Sequence, residues 1–334
     1  MRAILCHELA GPGALVLGER EPPRPGACQI RIRVGAAGVN FADALMVRGR
    51  YQERPPLPFV PGLELAGTVD ACGAAVDGLE PGRPVMAMVD HGAFAEYAIA
   101  RIDDVVPLPE GVDLRLAAGL PIAWGTAYGA LVWRAGLSAG ETLLVHGASG
   151  GTGLAAVACG RALGARVIAT ARGGGVREQI LARGAAEVLD SEAPDLVERI
   201  RELTGGQGVD VAFDPVGGAM FEVCRRTVAW EGRILIIGFA SGRIPQIPAN
   251  HLLVKNAAAI GFYWGSYRGR DPERLRAGFR VLLDWLQRGV VHPPAPEVVP
   301  FERTAEAVAR LEERRAGGKL VIAVDPALAT ATSG

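Results

Sequence analysis

The stretch Leu143-Leu144-Val145-His146-Gly147-Ala148-Ser149-Gly150-Gly151-Thr152-Gly153 decides the fold. A short apolar strand runs into a cluster of glycines, and a helical pattern follows over Thr152–Leu163. Gly150 and Gly153 supply the G-x-x-G part of the dinucleotide fingerprint, while Ala148 stands at the position of its first glycine. A structural turn is the alternative interpretation. Because the motif follows a strand and opens a helix, it predicts a turn whose N–H groups and helix dipole face a diphosphate.

The alternation of strands and helices continues after this motif. Strands are predicted at 143–146, 166–170, 187–189, 209–213, 233–237 and 258–262, and helices at 152–163, 176–183, 195–204 and 217–229. Strands that alternate with helices form right-handed βαβ units and a parallel sheet. The sequence therefore predicts an α/β fold with a doubly wound, six-stranded parallel Rossmann sheet over residues 121–264.

The flanking segments have a different pattern. Over residues 1–115, short strands such as Gln29–Val34 and Phe94–Ala100 lie between Pro and Gly turns, which is typical of a mostly β domain folded into a barrel. After residue 272, an amphipathic helix, a strand, a second helix and the strand Leu320–Val324 no longer alternate as the sheet requires. We therefore expect a mostly β second domain built from residues 1–120 and 265–334.

Composition narrows the class of protein. The chain has 334 residues and a net charge of −1, so neither nucleic acid nor an anionic membrane is an expected partner. No apolar run reaches the roughly 20 residues of a membrane helix. The five cysteines are scattered without metal-ligand spacing, and no leader pattern opens the chain. These features predict a soluble, cytoplasmic protein.

The end of the second predicted strand distinguishes NAD from NADP. NAD-binding proteins usually place an acid there, whereas this chain has Arg172, then Arg177, and no acid before Glu178. A guanidinium can bind a 2′-phosphate through two hydrogen bonds, and a carboxylate would repel it. The alternative is a solvated surface arginine. We predict that the cofactor is NADPH.

Several motifs together resemble the quinone oxidoreductase (zeta-crystallin-like) branch of the medium-chain dehydrogenase/reductase superfamily. The resemblance covers essentially the whole chain, and its motifs lie at 38–43 (GVNFAD), 61–67 (PGLELAG), 125–128 (GTAY), 140–153, 214–218 (DPVGG) and 318–320 (GKL). It implies a GroES-like catalytic domain completed by the C-terminal segment and an active site in the cleft between the domains. It also implies a homodimer or homotetramer.

The resemblance also makes clear what this chain lacks. Zinc-dependent alcohol dehydrogenases of the superfamily carry Cys where this chain has Asn40, and a His-Glu pair where it has Leu63-Glu64. Catalytic zinc needs about three protein ligands, and none of the five histidines replaces those lost. We therefore expect no metal. A further departure is Thr152, where the family usually has Val; its hydroxyl could reach a phosphate or cap the helix.

Without zinc, the hydride acceptor must itself be electron-poor, as quinones and α,β-unsaturated carbonyls are. The resemblance places Asn40 beside nicotinamide and substrate, where its amide could donate to a developing oxyanion. A turn-stabilising asparagine is the alternative. Tyr51 matches a family tyrosine that could donate a proton or serve only as an aromatic wall, and Leu45 replaces a second tyrosine of some relatives. Asn40 and Tyr51 are the predicted catalytic residues.

Ligands of open α/β sheets bind beyond the carboxyl ends of the strands. In this sequence those ends are rich in glycine and polar residues, although turn geometry alone could explain that pattern. Aromatic side chains there could stack on the nicotinamide or simply pack in the core, and Lys319, which matches a cofactor-facing family position, could instead be a surface charge. The predicted cofactor-binding residues are Thr126, Ser149, Gly150, Gly151, Thr152, Gly153, Arg172, Arg177, Asp190, Asp214, Val216, Gly238, Phe239, Ala240, Phe262, Trp264 and Lys319.

The predicted activity is zinc-independent, NADPH-dependent reduction of quinones. Reduction of the C=C bond of enones, enals or enoyl thioesters is the nearest alternative, because the same metal-free site serves both reactions. A protein that binds NADPH without turnover, as in the crystallin relatives, is the alternative from another class.

Overall fold

The computed structural model describes residues 1–329. The chain divides into two compact units. Unit 1 comprises Met1–Ile122, Arg268–Leu283 and the segment from Pro294 onward, and unit 2 comprises Ala123–Tyr267 and Asp284–Pro293. The sequence pattern assigned residues 284–293 to the first domain, whereas in the structure they group with unit 2. There Trp285 packs edge-on against Tyr128, with ring centroids 5.6 Å apart. The last five positions of the predicted domain, 330–334, lie outside the described residues.

Fifteen strands and twelve α-helices follow one another along the described residues. The strands are β1 (Arg2–Cys6), β2 (Leu15–Glu19), β3 (Gln29–Gly38), β4 (Glu64–Cys72), β5 (Pro84–Met88), β6 (Tyr97–Arg101), β7 (Val105–Pro107), β8 (Thr142–Val145), β9 (Arg166–Ala171), β10 (Ala185–Asp190), β11 (Val209–Asp214), β12 (Val228–Ile236), β13 (Ala258–Gly261), β14 (Glu297–Pro300) and β15 (Leu320–Ala323). The helices are α1 (Phe41–Val47), α2 (Leu114–Ala118), α3 (Ala123–Gly129), α4 (Gly151–Ala162), α5 (Arg177–Ala182), α6 (Leu196–Leu203), α7 (Ala219–Thr227), α8 (Ala249–Lys255), α9 (Tyr267–Arg270), α10 (Pro272–Gln287), α11 (Thr304–Glu312) and α12 (Pro326–Ala329).

Unit 2 contains the predicted Rossmann sheet. Its six strands are all parallel and lie in the order β10-β9-β8-β11-β12-β13, which confirms the doubly wound fold. The central strand β8 is fully buried at Leu143, Leu144 and Val145, as expected for a parallel strand with helices on both faces. A side chain at Gly160 of α4 would meet Leu143 Cδ2 at 2.5 Å, so this glycine lets α4 pack closely on the sheet.

The fifth strand of this sheet differs from its predicted bounds. The predicted helix 217–229 ends at Thr227, and β12 starts at Val228 rather than Arg233. Val209 pairs with Val228, the register shifts before the next pair, Val211 with Arg233, and Glu231 adopts a left-handed φ of 56° between them. At this bulge Glu231 and Gly232 interrupt the apolar run by which a buried parallel strand is recognised, which is why the sequence pattern missed the first half of the strand.

Unit 1 is mostly β, as predicted. Its larger sheet runs β14-β15-β3-β4-β5-β7, and β6 also pairs with β3. The C-terminal strand β15 joins the N-terminal part of the chain by pairing antiparallel with β3, where Val321 lies opposite Gly38. The strands β1 and β2 form a separate two-stranded sheet.

A buried ion network attaches residues 268–283 to the rest of unit 1. The Arg268 side chain, 8% exposed, places Nη2 2.7 Å from Asp104 Oδ2 and Nη1 2.6 Å from Asp90 Oδ1. Asp104 has no exposed surface and also accepts a 2.8 Å bond from Arg101 Nε. Arg101 in turn donates to the Arg268 carbonyl at 3.0 Å. The network therefore joins α9 to the end of β6 and to the loops that follow β5 and β6.

Within residues 1–329, no helix combines the length and the apolar character needed to cross a lipid bilayer.

Candidate active site

The glycine turn between β8 and α4 is held in place by backbone hydrogen bonds. Gly147 adopts a positive φ of 62°, a conformation that favours glycine. The Ala148 N–H donates to the Thr170 carbonyl at 3.0 Å, and the Gly150 N–H donates to the Gly147 carbonyl at 3.0 Å. These bonds tie the turn to the end of the neighbouring strand β9, so the start of α4 is fixed relative to the sheet.

Two glycines of the turn have different surroundings. A Cβ at Gly153 would lie 2.7 Å from the Gly147 carbonyl carbon and 2.9 Å from Ala148 Cα, so only glycine fits there. A Cβ at Gly150 would meet nothing closer than the Gly147 oxygen at 3.5 Å, an ordinary contact. The protein itself therefore requires Gly153 but tolerates a side chain at Gly150. The backbone at Gly150 is therefore not covered by neighbouring residues of the described chain.

The first turn of α4 presents hydrogen-bond donors. The first backbone bond of the helix runs from Leu154 N–H to the Gly150 carbonyl at 2.9 Å, so the N–H groups of residues 151–153 have no intrahelical acceptor. The hydroxyls of Ser149 and Thr152 make no hydrogen bond within residues 1–329, and no side chain caps the helix. The capping role considered for Thr152 is therefore not seen. Amides, hydroxyls and the positive end of a twelve-residue helix suit an anion such as a diphosphate.

The ends of β11 and β12 continue as two paired loops. Asp214 Oδ1 accepts from the Val216 and Gly217 N–H groups at 2.8 and 2.9 Å, which fixes the first loop, and burial raises the pKa of this carboxyl. The Ala240 N–H donates to the Pro215 carbonyl at 3.1 Å, which joins the second loop to the first. A Cβ at Gly147 would lie 3.1 Å from Val216 Cγ2, so the first loop reaches the glycine turn.

This arrangement brings several predicted cofactor residues together at one edge of the sheet. Gly238 and Phe239 lie in the second loop, and the Phe239 side chain is partly exposed beside Gly217. The Asp214 carboxylate, in contrast, is engaged by its own loop. These bonds fix the conformation of the loop, and contact of Asp214 with a cofactor stays a prediction.

Three predicted residues lie after β9, at the start of α5 and at the end of β10. Arg172 follows β9, is exposed, and has no hydrogen bond or ion pair within residues 1–329. Arg177 instead donates to the Val188 carbonyl and lies 4.0 Å from a Glu187 carboxylate oxygen. Asp190, at the end of β10, is exposed and accepts a 3.0 Å bond from the Glu192 N–H. Of the two arginines, Arg172 is the one whose guanidinium is uncommitted.

The aromatic residues after β13 are packed within unit 2. Phe262 and Trp264 are 7% and 4% exposed, and Trp264 stacks on Trp133 with centroids 5.5 Å apart. A Cβ at Gly125 of α3 would lie 2.6 Å from Trp264 Cε2, so the indole rests directly on this helix. Both rings are packed within unit 2, and their contact with a cofactor stays a prediction. Thr126, on the same helix, is 8% exposed, and its hydroxyl makes no hydrogen bond in the described part of the chain.

His146, which follows β8 at the start of the glycine turn, is fully buried. Its Nδ1 lies 2.7 Å from the Thr170 hydroxyl, and burial lowers the pKa of the imidazole to about 4. The ring is therefore neutral at physiological pH and supports the turn without adding charge to it.

Unit 1 contains a compact polar cluster around Asn40, the residue immediately before helix α1. Asn40 Nδ2 donates to Glu64 Oε1 at 2.8 Å, and Asn40 Oδ1 accepts from Lys319 Nζ at 2.9 Å. Lys319 Nζ also donates to the same Glu64 oxygen and, at 3.0 Å, to the Val39 carbonyl. Lys319 is thus not a surface charge, because its side chain is only 12% exposed and is bound to unit 1 groups.

Two carboxyl groups of this cluster were not among the predicted site residues. Glu64 and Asp43 are both fully buried, and burial raises the pKa of Asp43 to about 7. Asp43 Oδ2 accepts the Asn40 N–H at 2.7 Å, so it caps α1. The signal for Glu64 was present in the 61–67 motif, where an acid follows Leu63 among apolar residues. A charged residue inside an otherwise buried strand predicts a partner, but the sequence does not say which one.

Tyr51, the other predicted catalytic residue, is partly buried and packs against the apolar core of unit 1. Proton donation by Tyr51 and its role as an aromatic wall both stay predictions. Within residues 1–329, no group of three or more His, Cys, Asp or Glu side chains is arranged to hold a metal ion.

Comparisons with known proteins identify the family. Residues 26–110 match the alcohol dehydrogenase GroES-like domain, and residues 151–287 match the zinc-binding dehydrogenase domain. The rat quinone oxidoreductase-like protein 2 is 38% identical over 324 residues, covering 97% of this chain and 92% of its own length. The rat quinone oxidoreductase is 32% identical over 309 residues, covering 92% of each.

A solved structure agrees with this result. The Escherichia coli quinone oxidoreductase complexed with NADPH superposes with a TM-score of 0.90 at 27% identity, over 97% of this chain and 100% of that one. The chain belongs to the quinone oxidoreductase branch of the medium-chain dehydrogenase/reductase superfamily. Its unit 1 is the GroES-like domain and its unit 2 the Rossmann domain.

Proposed function

We propose that this protein is a zinc-independent reductase that transfers a hydride from NADPH to a quinone. The glycine turn carries the proposal, because it presents free amides and two hydroxyls at the start of α4, with an uncommitted arginine after the next strand. The solved relative named above is complexed with NADPH and is called a quinone oxidoreductase, which supports both the cofactor and the substrate class.

The residues of unit 2 fit this cofactor. The N–H groups of residues 151–153 and the hydroxyls of Ser149 and Thr152 would hold the diphosphate, and Arg172 would hold the 2′-phosphate. Bound NADPH supplies the hydride, and the chain supplies binding and orientation. The space beside Gly150 allows the backbone to approach the diphosphate closely.

The chemistry of the Asn40 cluster supports a reaction without zinc. The Asn40 amide, the Lys319 ammonium and the Glu64 carboxylate contact one another there, so the carboxylate is already paired with a cation. A metal bound by Asn40 and Glu64 would have to displace that ammonium. We therefore assign to Asn40 the role of hydrogen-bond donor to the acceptor oxygen. The Asn40 Nδ2 group has two hydrogens. One donates to Glu64, and the other is available to donate to the acceptor.

A quinone fits this chemistry because it needs little activation. Its two carbonyl groups are conjugated, so the negative charge left by hydride transfer spreads onto an oxygen, where one good donor stabilises it. Bound NADPH would supply the hydride, Asn40 would stabilise the resulting oxyanion, and a proton from water would complete the hydroquinone. Binding and a single amide donor are therefore sufficient contributions from the protein.

The activity is tested by following NADPH oxidation with a panel of acceptors. The panel contains 1,4-benzoquinone, an enone, an enal and an enoyl thioester, with boiled protein as the control. We expect the highest kcat/KM with the quinone. Preference for a C=C acceptor would replace quinone reduction by enone or enoyl reduction. Binding of NADPH with no turnover of any acceptor would identify a non-catalytic binding protein.

We predict that Arg172→Ala selectively weakens NADPH binding. A hydrogen bond to a charged group is worth about 1.5–3 kcal/mol, so the NADPH Kd should rise by about 10- to 100-fold. NADH lacks the 2′-phosphate, so its Kd serves as the internal control and should be unchanged. Fluorescence titration measures both values. Equal affinities for NADPH and NADH in the unaltered protein would contradict the assignment.

We also propose that the protein is a homo-oligomer. Within the described residues β13 is the last strand of its sheet, and large apolar side chains of unit 2 are exposed, including Trp230 (64%), Leu253 (75%) and Val254 (69%). An open strand edge and exposed apolar residues suit contact with a second copy. Sedimentation equilibrium should give a dimer or tetramer, and a monomer at micromolar concentration would contradict this.

A further inference from the structure

The carboxylate of Glu64 has no exposed surface and uses both of its oxygens. Oε1 accepts from Asn40 Nδ2 at 2.8 Å and from Lys319 Nζ, and Oε2 accepts the Ile122 N–H at 2.7 Å. Burying a carboxylate is costly unless it is paired and hydrogen-bonded. The three donors provide that compensation, and two of them belong to side chains that the proposed function places at the site.

Two glycines leave room for these side chains. A Cβ at Gly38 would lie 2.5 Å from the Ala118 carbonyl oxygen and 2.7 Å from Glu64 Cδ. A Cβ at Gly119 would lie 3.0 Å from Lys319 Cγ. Any larger residue at Gly38 would push Glu64 away from Asn40. The cluster therefore depends on Gly38 and Gly119 as well as on Glu64 and Lys319, the two residues whose side chains contact Asn40.

The cluster fixes which way the Asn40 amide faces. Its oxygen points to the Lys319 ammonium and its nitrogen to the Glu64 carboxylate. If the amide turned over, its oxygen would face the carboxylate and its nitrogen the ammonium, and both contacts would become repulsive. An amide whose oxygen accepts from a cation is also a stronger N–H donor. The second Nδ2 hydrogen is thus held in one direction.

We propose that Glu64, together with Lys319, is a positioning residue that holds the Asn40 amide so that its free Nδ2 hydrogen donates to the oxygen of the acceptor. This inference rests on the proposed function, because it assumes that Asn40 contacts the acceptor. A purely structural Glu64 would instead only connect β4 to Ile122. The two roles differ in whether the effect of Glu64 on turnover depends on Asn40.

A double-mutant cycle on the full-length protein separates these roles. The variants are Asn40→Ala, Glu64→Gln and the double variant, assayed for NADPH oxidation with 1,4-benzoquinone, NADPH Kd and thermal unfolding. Loss of an oxyanion donor lowers kcat by about 100-fold, so we expect that loss for Asn40→Ala and about a tenfold loss for Glu64→Gln. In the double variant, kcat should equal that of Asn40→Ala, and the NADPH Kd should stay the same throughout.

Additional variants keep the test decisive. Glu96→Gln, a carboxylate of unit 1 that pairs with Arg2, is the matched control and should retain kcat. If Glu64→Gln does not fold, Lys319→Gln replaces it in the cycle and removes the hydrogen bond to the Asn40 amide oxygen. Its effect on kcat should likewise disappear when Asn40 is already alanine. Multiplied losses in the double variant, or an unchanged kcat in Glu64→Gln, would overturn the inference while the proposed function stands. An unaltered protein that oxidises no NADPH with any acceptor would overturn both.

Discussion

Gly153→Ala should abolish measurable NADPH binding. Its Cβ would lie 2.7 Å from the Gly147 carbonyl carbon and 2.9 Å from Ala148 Cα, so the start of α4 has to move away from the turn. Displacing the helix separates its free N–H groups from the diphosphate. Two lost hydrogen bonds to a charged group amount to about 3–6 kcal/mol, which raises the Kd by more than about 100-fold. Fluorescence titration with NADPH measures the change.

Two further glycine variants test whether the loss of NADPH binding in Gly153→Ala comes from the displaced start of α4. Gly150→Ala meets nothing in the protein closer than 3.5 Å, so it should fold normally and still weaken NADPH binding, because its methyl group occupies the space left for the ligand. Gly13→Ala, whose Cβ would have no neighbour within 4 Å, is the control and should leave the Kd unchanged. Undiminished NADPH affinity in Gly153→Ala would show that the diphosphate binds elsewhere.

Asp104→Asn should strongly destabilise the protein. The substitution leaves the buried Arg268 guanidinium without the carboxylate that now lies 2.7 Å away. Removing one partner of a buried ion pair typically costs about 3–5 kcal/mol when the remaining charge is left uncompensated. Because Arg268 keeps its 2.6 Å contact with the exposed Asp90, we expect a loss of about 3 kcal/mol, the lower end of that range. Arg101 loses its carboxylate partner in the same step. Urea denaturation followed by circular dichroism measures the free energy of unfolding.

An exposed ion pair of the same unit provides the matched control. Glu306 pairs with Arg303, and both side chains are about half exposed. Exposed pairs contribute about 0–1 kcal/mol, so Glu306→Gln should change the free energy of unfolding by no more than that. If the two variants lose the same free energy, the network around Arg268 does not hold residues 268–283 to unit 1 in the way described.

The Rossmann unit was predictable because its signals are local. The apolar strand, the glycine turn and the following helix are contiguous in sequence, and each repeat of the pattern adds one strand to the sheet. Arg172 could be singled out for the same reason, since it immediately follows β9. The bulge at Glu231 was missed because a charged residue there breaks the continuous apolar run that predicts a buried parallel strand.

The polar cluster was only half predictable. Asn40 and Lys319 could be named from motifs. Their contacts could not be predicted, because Lys319 lies 279 residues from Asn40 and 255 residues from Glu64 in the chain. No periodicity or spacing reports such a contact. The aromatic residues Phe262 and Trp264 show the same limit, because strand-end position alone does not reveal that Gly125 gives the Trp264 indole a place to pack.

The central claim is that the first turn of α4 binds the diphosphate of NADPH. A crystal structure of the protein with NADPH tests it most directly. The account predicts diphosphate oxygens within hydrogen-bond distance of the N–H groups of residues 151–153, and the 2′-phosphate beside Arg172. Diphosphate bound at another place in the chain, or no NADPH at this turn at saturating concentration, would contradict it.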